Sequence, residues 1–280
     1  METVADYGVV EHYGVPTLTT GIFRTWFAMG ETSAALQLAG WLFIVVCLLV
    51  VAEQFARRGQ HFNPVSRQRQ STRHVLTGWS AWLAFTLCFM PVLLGLIVPV
   101  AVLAGMALSD GETPFSAAFL ALMVNSAWVA SVAALLCAGA ALWLAYSERL
   151  HPNAWVRGSV RVATLGYAVP GLVLAVALMV PMITVDKWLA TLLRDTLDLH
   201  WGLLITGSSA ALIFVYVARF LTVAFNSMQA GLTQIHPQLD AAARSLGHTP
   251  SVVLRRVHLP LLRPAVLTGV LLVFIDVMKE

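Results

Sequence analysis

Charge is what this sequence has least of. Of its 280 residues only 11% are Asp, Glu, Lys or Arg, and 59% are hydrophobic. A soluble domain carries roughly a quarter charged residues, so a surface wetted on all sides is excluded. Cysteine is scarce too. Cys47, Cys88 and Cys137 each sit inside an apolar run. No CxxC or HExxH pattern accompanies them, which removes the usual zinc and redox arrangements. They read as small buried hydrophobes. The opening METVADYGVV has acids but no basic stretch, unlike a secretory leader. There is no GxxxxGK[ST] loop, so ATP is not bound here in the usual way. Apolar–polar alternation of period two, the mark of a membrane barrel, is also missing.

What is present is a series of apolar runs. They cover residues 36–55, 79–108, 119–146, 162–184, 201–225 and 264–278. About 20 apolar residues cross a ~30 Å hydrocarbon core as a helix. The expected fold is therefore all-α, a polytopic helical membrane protein with six spans. The 17 basic residues are unevenly shared among the loops. Arg57, Arg58, Arg67, Arg69 and Arg73 fill the first loop. Arg149, Arg157 and Arg161 fall in the third, and Arg244, Arg255, Arg256 and Arg263 in the fifth. The second loop, SDGETPFS, has none. The fourth sets Lys187 and Arg194 against Asp186, Asp195 and Asp198. Positive charge stays inside, so loops one, three and five are expected in the cytoplasm and the N-terminal stretch outside.

Few polar groups enter the spans. Arg219 reads as a snorkelling anchor near the inner interface. Asn125 fits either an interhelical hydrogen bond or a pore lining. Asp276 is a candidate for the translocation path, because an intramembrane carboxylate is functional by default. Its alternative is a local pair with Lys279 at i+3.

Between the last two runs lies LDAAARSLGHTPSVVLRRVHLPLLRP, polar, basic and broken by proline. Pro237 permits a helix start. Leu239, Ala242, Ala243 and Leu246 recur at helical spacing and form one apolar face. Gly247 is placed for a left-handed C-terminal cap. Thr249 with Pro250 reads as an N-cap followed by proline at the first helical position. Val253, Val257 and Leu261 make a second stripe, with Arg255 and Arg256 turned away. Pro260 interrupts it and Pro264 starts the next span. The expectation is an elbow of two short helices lying along the cytoplasmic surface.

These residues resemble the cytoplasmic signature loop of ABC-importer permeases. In that family an alanine pair, a glycine four positions after the second alanine, and an aliphatic-x-Leu-Pro close recur at fixed spacing. Here they are Ala242 and Ala243, Gly247, and Val257-His258-Leu259-Pro260. The family's glutamate before the alanines is replaced by Ala241, with Asp240 beside it. LGYAVPGLVLAVAL, ARFLTVAFNSMQAGL and VFIDVMKE are similar to the second half of ferric-iron importer permeases. The N-terminal METVADYGVVEHYGVPTLTTGIFRTWF is similar to a stretch late in their first half. The resemblance implies the type I importer architecture. It also implies a fragment of a duplicated chain. Residues 1–56 would end a first repeat, 57–78 form a cytoplasmic linker, and 79–280 a second repeat short of its last helix.

The implied function is that of a permease subunit, multi-pass in a bacterial inner membrane, that is not itself an enzyme. The resemblance implies an ABC ATPase dimer on the cytoplasmic side, holding ATP-Mg, and a periplasmic substrate-binding protein. It further implies a missing permease half or second copy, with no cofactor on this chain and no nucleic acid. Ferric iron is the implied cargo; thiamine, a polyamine or an oxyanion are alternatives. An intramembrane enzyme would need clustered ionisable groups, and only Asp276, Arg219 and Glu53 are available. A non-transporting scaffold is the remaining rival. Asp6, Tyr7, Glu11, His12 and Tyr13 supply oxygen donors of the kind ferric iron favours, although a solvated loop or binding-protein contact also accounts for them.

Overall fold

The computed structural model describes residues 7–57, 76–109, 116–169, 171–197 and 205–280. Among the described residues the chain is helical throughout, without strands. Short helices α1 (Gly8–His12) and α2 (Leu18–Phe23) precede the long α3 (Thr32–Arg57). Then come α4 (Trp79–Val92), α5 (Val98–Ser109), α6 (Ala117–Leu150) and α7 (Ala154–Ala163). The series closes with α8 (Gly171–Leu197), α9 (Ser209–Gln234), α10 (Pro237–Ser245), α11 (Pro250–Val253) and α12 (Leu259–Met278). Among the described residues six stretches are long and apolar enough to cross a membrane: Thr32–Ala52, Trp79–Ser109, Ala117–Leu150, Val173–Leu192, Ser209–Gln234 and Pro250–Met278.

Two compact units divide the chain, one of Met1–Arg58 with Ser126–Glu280, the other of Gly59–Asn125. In the second unit α4 and α5 join through a π turn, Leu93–Ile97, just after Pro91. Proline lacks an N–H and crowds the carbonyl four residues back, so the helix widens there rather than running straight. Their side chains are apolar on all sides and exposed, as a span facing lipid requires.

The first unit owes its core to small residues. Ala130, Ala133, Ala134, Cys137, Ala141 and Ala145 line one face of α6 and are buried. They let α6 approach α9 closely, where Phe220, Ala224 and Met228 complete the cluster. Close approach of small residues is how membrane helices associate without a hydrophobic driving force. A second cluster joins α2, α3 and α8 through Ile22, Ala39, Leu42, Val173 and Val176. Thr17 starts α2 with a reciprocal cap: its Oγ1 accepts from Thr20 N, and its own N–H donates to Thr20 Oγ1 at 2.9 Å. α7 starts at Asn153, whose Oδ1 accepts from Val156 N at 2.8 Å, a cap worth about 1 kcal/mol.

Three spans differ from the sequence expectation. The fourth was placed at 162–184, but Val162 belongs to the amphipathic α7, and a 3-10 turn at Gly166–Ala168 separates it from α8. α8 then carries Asp186, Lys187 and Arg194, which were expected in the fourth loop. The fifth starts at Ser209, not at 201; Ser208 caps it by accepting from Ala211 N at 3.3 Å. In both cases an apolar run crosses a turn, and hydropathy cannot register the turn. The sixth is longer than 264–278. Helix runs from Pro250 through a π turn, Leu254–His258, into α12. Pro260 does not interrupt it; it lies just past the π turn, inside the continuous helix.

Cys137 is buried as expected, but Cys47 is only half-buried and Cys88 is exposed on α4. Of the oxygen-rich N-terminal residues, Glu11 pairs with Arg24 at 3.4 Å and Tyr7 packs its ring on Phe23 at 4.3 Å. Asp6, the arginine-rich linker and most of the SDGETPFS loop lie outside the described residues.

Candidate functional site

The chain reverses between α9 and α12 through a bend whose two arms are α10 and the run beginning at α11. α10 ends as its sequence demands. Gly247 has φ 77°. Leu246 N donates to Ala242 O at 3.2 Å and His248 N to Ala243 O at 3.1 Å. Both bonds close carbonyls that a helix end would otherwise leave open, and the left-handed residue between them is glycine because a Cβ there is strained. Thr249 is extended and Pro250 takes the first helical position. Thr249 is the N-cap residue as expected, although its hydroxyl lies 3.2 Å from Ser251 Oγ and makes no cap bond.

Two residues one turn apart on α6 hold the arms in place. Tyr146 donates its hydroxyl to Pro250 O at 2.7 Å, fixing the second arm. Arg149 fixes the first. Its Nε donates to Asp240 Oδ2 at 2.9 Å, Nη1 to Leu232 O at 2.5 Å and Nη2 to Ile235 O at 3.0 Å. One guanidinium therefore caps the C-terminal end of α9, where a cation is favoured, and pairs with the acid in the first turn of α10. The side chains of Arg149 and Asp240 are 16% and 17% exposed, so the pair is largely withdrawn from water. His258, 1% exposed, brings Nε2 to 2.6 Å from Asp240 Oδ1. That approach is close in distance but lacks hydrogen-bond alignment. The Tyr146 ring meets His258 edge-on at 5.5 Å. Asp240 thus joins α6, α10 and the π turn at one point.

The π turn also corrects the second stripe. Its extra residue shifts the register, so Val253, His258 and Leu262 are buried in place of the expected Val253, Val257 and Leu261. Val257 is half-buried and Leu261 exposed. On the first arm Ala243 is buried; Ala242, Leu239 and Leu246 are not. Leu239 borders an open groove of about 670 Å³ that Ser227, Gly231 and Thr268 also line. Leu246 is 75% exposed. Ala241, Gly247, Arg255, Arg256, Leu259 and Pro260 are exposed as well. The bend therefore shows an outward surface of small and apolar residues followed by two arginines.

Of the sequence candidates, the structure gathers Asp240 and Ala243 into the anchored base, and leaves Ala241, Ala242, Gly247, Arg255 and Arg256 facing out. The sequence reading missed Tyr146 and Arg149, which lie 104 residues before Pro250 and 91 before Asp240. A basic residue in the last turn of α6 was the available signal. Asn125 is exposed on α6. Asp276 pairs with Lys279 at 3.0 Å, the local arrangement weighed against a path role. Arg219 sits ten residues into α9 and pairs with Glu280 at 2.6 Å. Asp186, fully buried, accepts from the backbone N–H of Ile205 and Thr206 and ties the turn before α9 to α8. Among the described residues no group of three or more His, Cys, Asp or Glu could hold a metal.

Residues 130–280 match the family described as binding-protein-dependent transport system inner membrane component. The match spans α12, the bend and most of α6. Among curated proteins the chain is 27% identical over 290 aligned residues to the Fe(3+)-transport system permease protein FbpB 2 of Haemophilus influenzae (strain ATCC 51907 / DSM 11121 / KW20 / Rd). That alignment covers 100% of this chain and 53% of the relative, so the chain spans about half the length of the curated relative it matches. No solved structure matches.

Proposed function

Because this chain belongs to the family of binding-protein-dependent transport system inner membrane components, we propose that it is a permease subunit of an ATP-driven importer whose cargo is ferric iron. The observation that carries the coupling role is the bend anchored by Tyr146 and Arg149. A loop that transmits force must move as one body with the helices it drives. Here both arms are bonded to α6, and the second arm runs unbroken into α12. A push on the exposed Leu246–Gly247 corner reaches two spans without first being spent on loop deformation. Coupling needs an element that makes different contacts in two states, and a rigid bend supplies one.

On this reading an ATPase dimer in the cytoplasm binds residues 237–260 and holds ATP-Mg, and the chemistry belongs to that dimer. A periplasmic binding protein delivers cargo to the opposite face of a bacterial inner membrane. A permease half or second copy completes the pathway, in keeping with the length of the relative. Residues 1–56 would close one repeat and 79–280 open the next. The iron assignment takes its support from the name of that relative.

The test is reconstitution. Proteoliposomes would hold this chain, the complementary permease half, the ATPase dimer and the binding protein. ATP-dependent accumulation of radiolabelled ferric iron is expected, and none with this chain as the sole permease component. Accumulation of thiamine, a polyamine or an oxyanion without iron would replace the cargo. ATP hydrolysis indifferent to the permease would remove the importer role.

A further inference from the structure

The buried positions of the second arm follow an uneven rhythm. Val253, His258, Leu262, Gly269, Val273 and Val277 are buried, and Val266 packs beside them. From His258 onward each step is three or four residues, the spacing of one helix face. The first step, Val253 to His258, is five, because the π turn Leu254–His258 holds an extra residue. The same sequence carries a second rhythm. Steps of four from Val253 reach Val257 and Leu261, and a step of five from Leu261 reaches Val266. The extra residue then sits at Pro264 instead of before Pro260. Each place adjoins a proline, where the ladder already lacks a bond, so a wide turn costs least there. The two rhythms end in step, and α12 beyond Val266 keeps its face.

The observed register has a cost. His258 is 1% exposed, and neither ring nitrogen has a hydrogen-bond partner among the described residues. A buried polar group left so calls for an explanation. The Asp240 carboxylate, 2.6 Å from Nε2, offsets part of that cost through its charge. In the second register Val257 takes the place of His258 and Leu261 that of Leu262, while Asp240 keeps Arg149. One register has an ionic contact and a poorly satisfied ring; the other has an apolar fit and no ring to satisfy. Both anchors of the bend, Tyr146 on Pro250 and Arg149 on Asp240, lie ahead of the π turn. The bend therefore keeps its shape while the segment behind it turns.

We infer that residues 257–263 form a register switch. The π turn passes between Leu254–His258 and Pro264, turning the segment by one residue, ~100°. The passage exchanges buried His258 and Leu262 for Val257 and Leu261. π turns inside helices are frequent at functional sites. An ATPase dimer gripping residues 237–260 meets Leu259 and Pro260 at different angles in the two registers. It thus has the differential contact that shifting an equilibrium requires, and its nucleotide cycle moves the segment from one register to the other. This deepens the permease reading and rests on it.

The test uses the full complex in lipid nanodiscs: this chain, the complementary permease half, the ATPase dimer and the loaded binding protein. Val257→Cys, His258→Cys, Leu261→Cys and Leu262→Cys are made singly, with Cys47→Ala and Cys88→Ala; Cys137 is fully buried and stays. Labelling by N-ethylmaleimide is timed with and without a non-hydrolysable ATP analogue. Positions 258 and 262 should label at least about tenfold faster in one state than in the other, and positions 257 and 261 should change in the opposite sense. A dimer that merely covers the arm slows all four together, and that pattern, or no change, overturns the inference. Leu261→Asn keeps the test decisive if His258→Cys does not fold. Leu261 is 55% exposed in the observed register and buried only in the other. The asparagine variant should keep its membrane abundance and ATPase capture but lose substrate-stimulated hydrolysis about tenfold. Leu261→Met should restore it. Wild-type hydrolysis in Leu261→Asn overturns the inference as well. The two readings separate cleanly. No capture of the ATPase by the wild-type chain discards the coupling role and the switch with it. Capture with one fixed labelling pattern discards the switch alone.

Discussion

Arg149 closes the end of one helix and grips the start of the next with the same guanidinium, donating to Leu232 O, Ile235 O and, at 2.9 Å, to Asp240 Oδ2. Asp240 thereby takes an internal partner at the point where the importer permeases this chain resembles carry a glutamate one residue later. The alanine at position 241 is exposed and leaves the outward surface of the bend uncharged there.

The two partners should not be equivalent. Asp240→Ala removes one acceptor and leaves a withdrawn cation, a loss of about 3 kcal/mol. Arg149→Ala also reopens two carbonyls at the end of α9, so it should cost more. Arg149→Lys should rescue little, since one ammonium cannot reach three acceptors in the guanidinium geometry. A double-mutant cycle by thermal unfolding in detergent should give a coupling of about 1–3 kcal/mol. Strict additivity would show that the pair is incidental.

What could be read in advance was what depends on neighbours in sequence. The glycine cap is a one-residue requirement, and Gly247 adopts it. The outward turn of Arg255 and Arg256 followed from helical spacing and holds. The base of the bend was not legible, because Tyr146 and Arg149 meet Pro250 and Asp240 across 104 and 91 residues, a pairing only the fold determines. The register after Val253 was misread for a different reason. A π turn adds one residue to one turn and shifts every later position, and composition does not announce it. The boundary at α8 failed because its turn is nearly as apolar as the spans it joins, whereas the start of α9 was signalled by Gly207, at φ 85°, and the N-cap Ser208 and was overlooked within the apolar run.

Close packing makes a second prediction. A Cβ on Gly166 would lie 1.9 Å from the carbonyl oxygen of Ala218, with backbone on both sides and nothing to rotate away. Gly166→Ala should push the turn before α8 off α9 and cost about 2 kcal/mol, the usual scale of overpacking. Gly158→Ala is the control. Its added carbon meets nothing within 4 Å, and alanine in an exposed helix should stabilise by up to about 1 kcal/mol. Opposite signs in thermal unfolding are expected. Two small changes of the same sign would argue against the tight approach.

Charge on the second arm gives a third. Arg255 and Arg256 are exposed, so reversing them should leave the fold intact. Arg255→Glu with Arg256→Glu is expected to weaken capture of the ATPase dimer several-fold at low salt. The difference should shrink toward wild type as ionic strength rises and the Debye length falls below ~10 Å. A pull-down across a salt series checks it. A defect independent of salt would mean that the arginines act through shape, and no defect would place the dimer elsewhere.

The corner itself gives the last prediction, and the space around it sharpens the test. A Cβ on Gly247 meets nothing within 4 Å, so any effect of substitution comes from the backbone and not from collision. Holding φ near 77° costs an ordinary residue about 1–2 kcal/mol, and a β-branched one suffers most. The order of damage should therefore be valine, then alanine, then asparagine, which tolerates the left-handed region. A collision would instead rank the variants by size and put asparagine near valine. Gly247→Val should insert in the membrane at normal abundance, because no span is touched. It should lose ATPase capture or substrate-stimulated hydrolysis, because the arm from Pro250 would leave α10 at a different angle and pull against the Tyr146–Pro250 bond. If Gly247→Val keeps wild-type capture and hydrolysis, the bend is a passive connector and the coupling role fails.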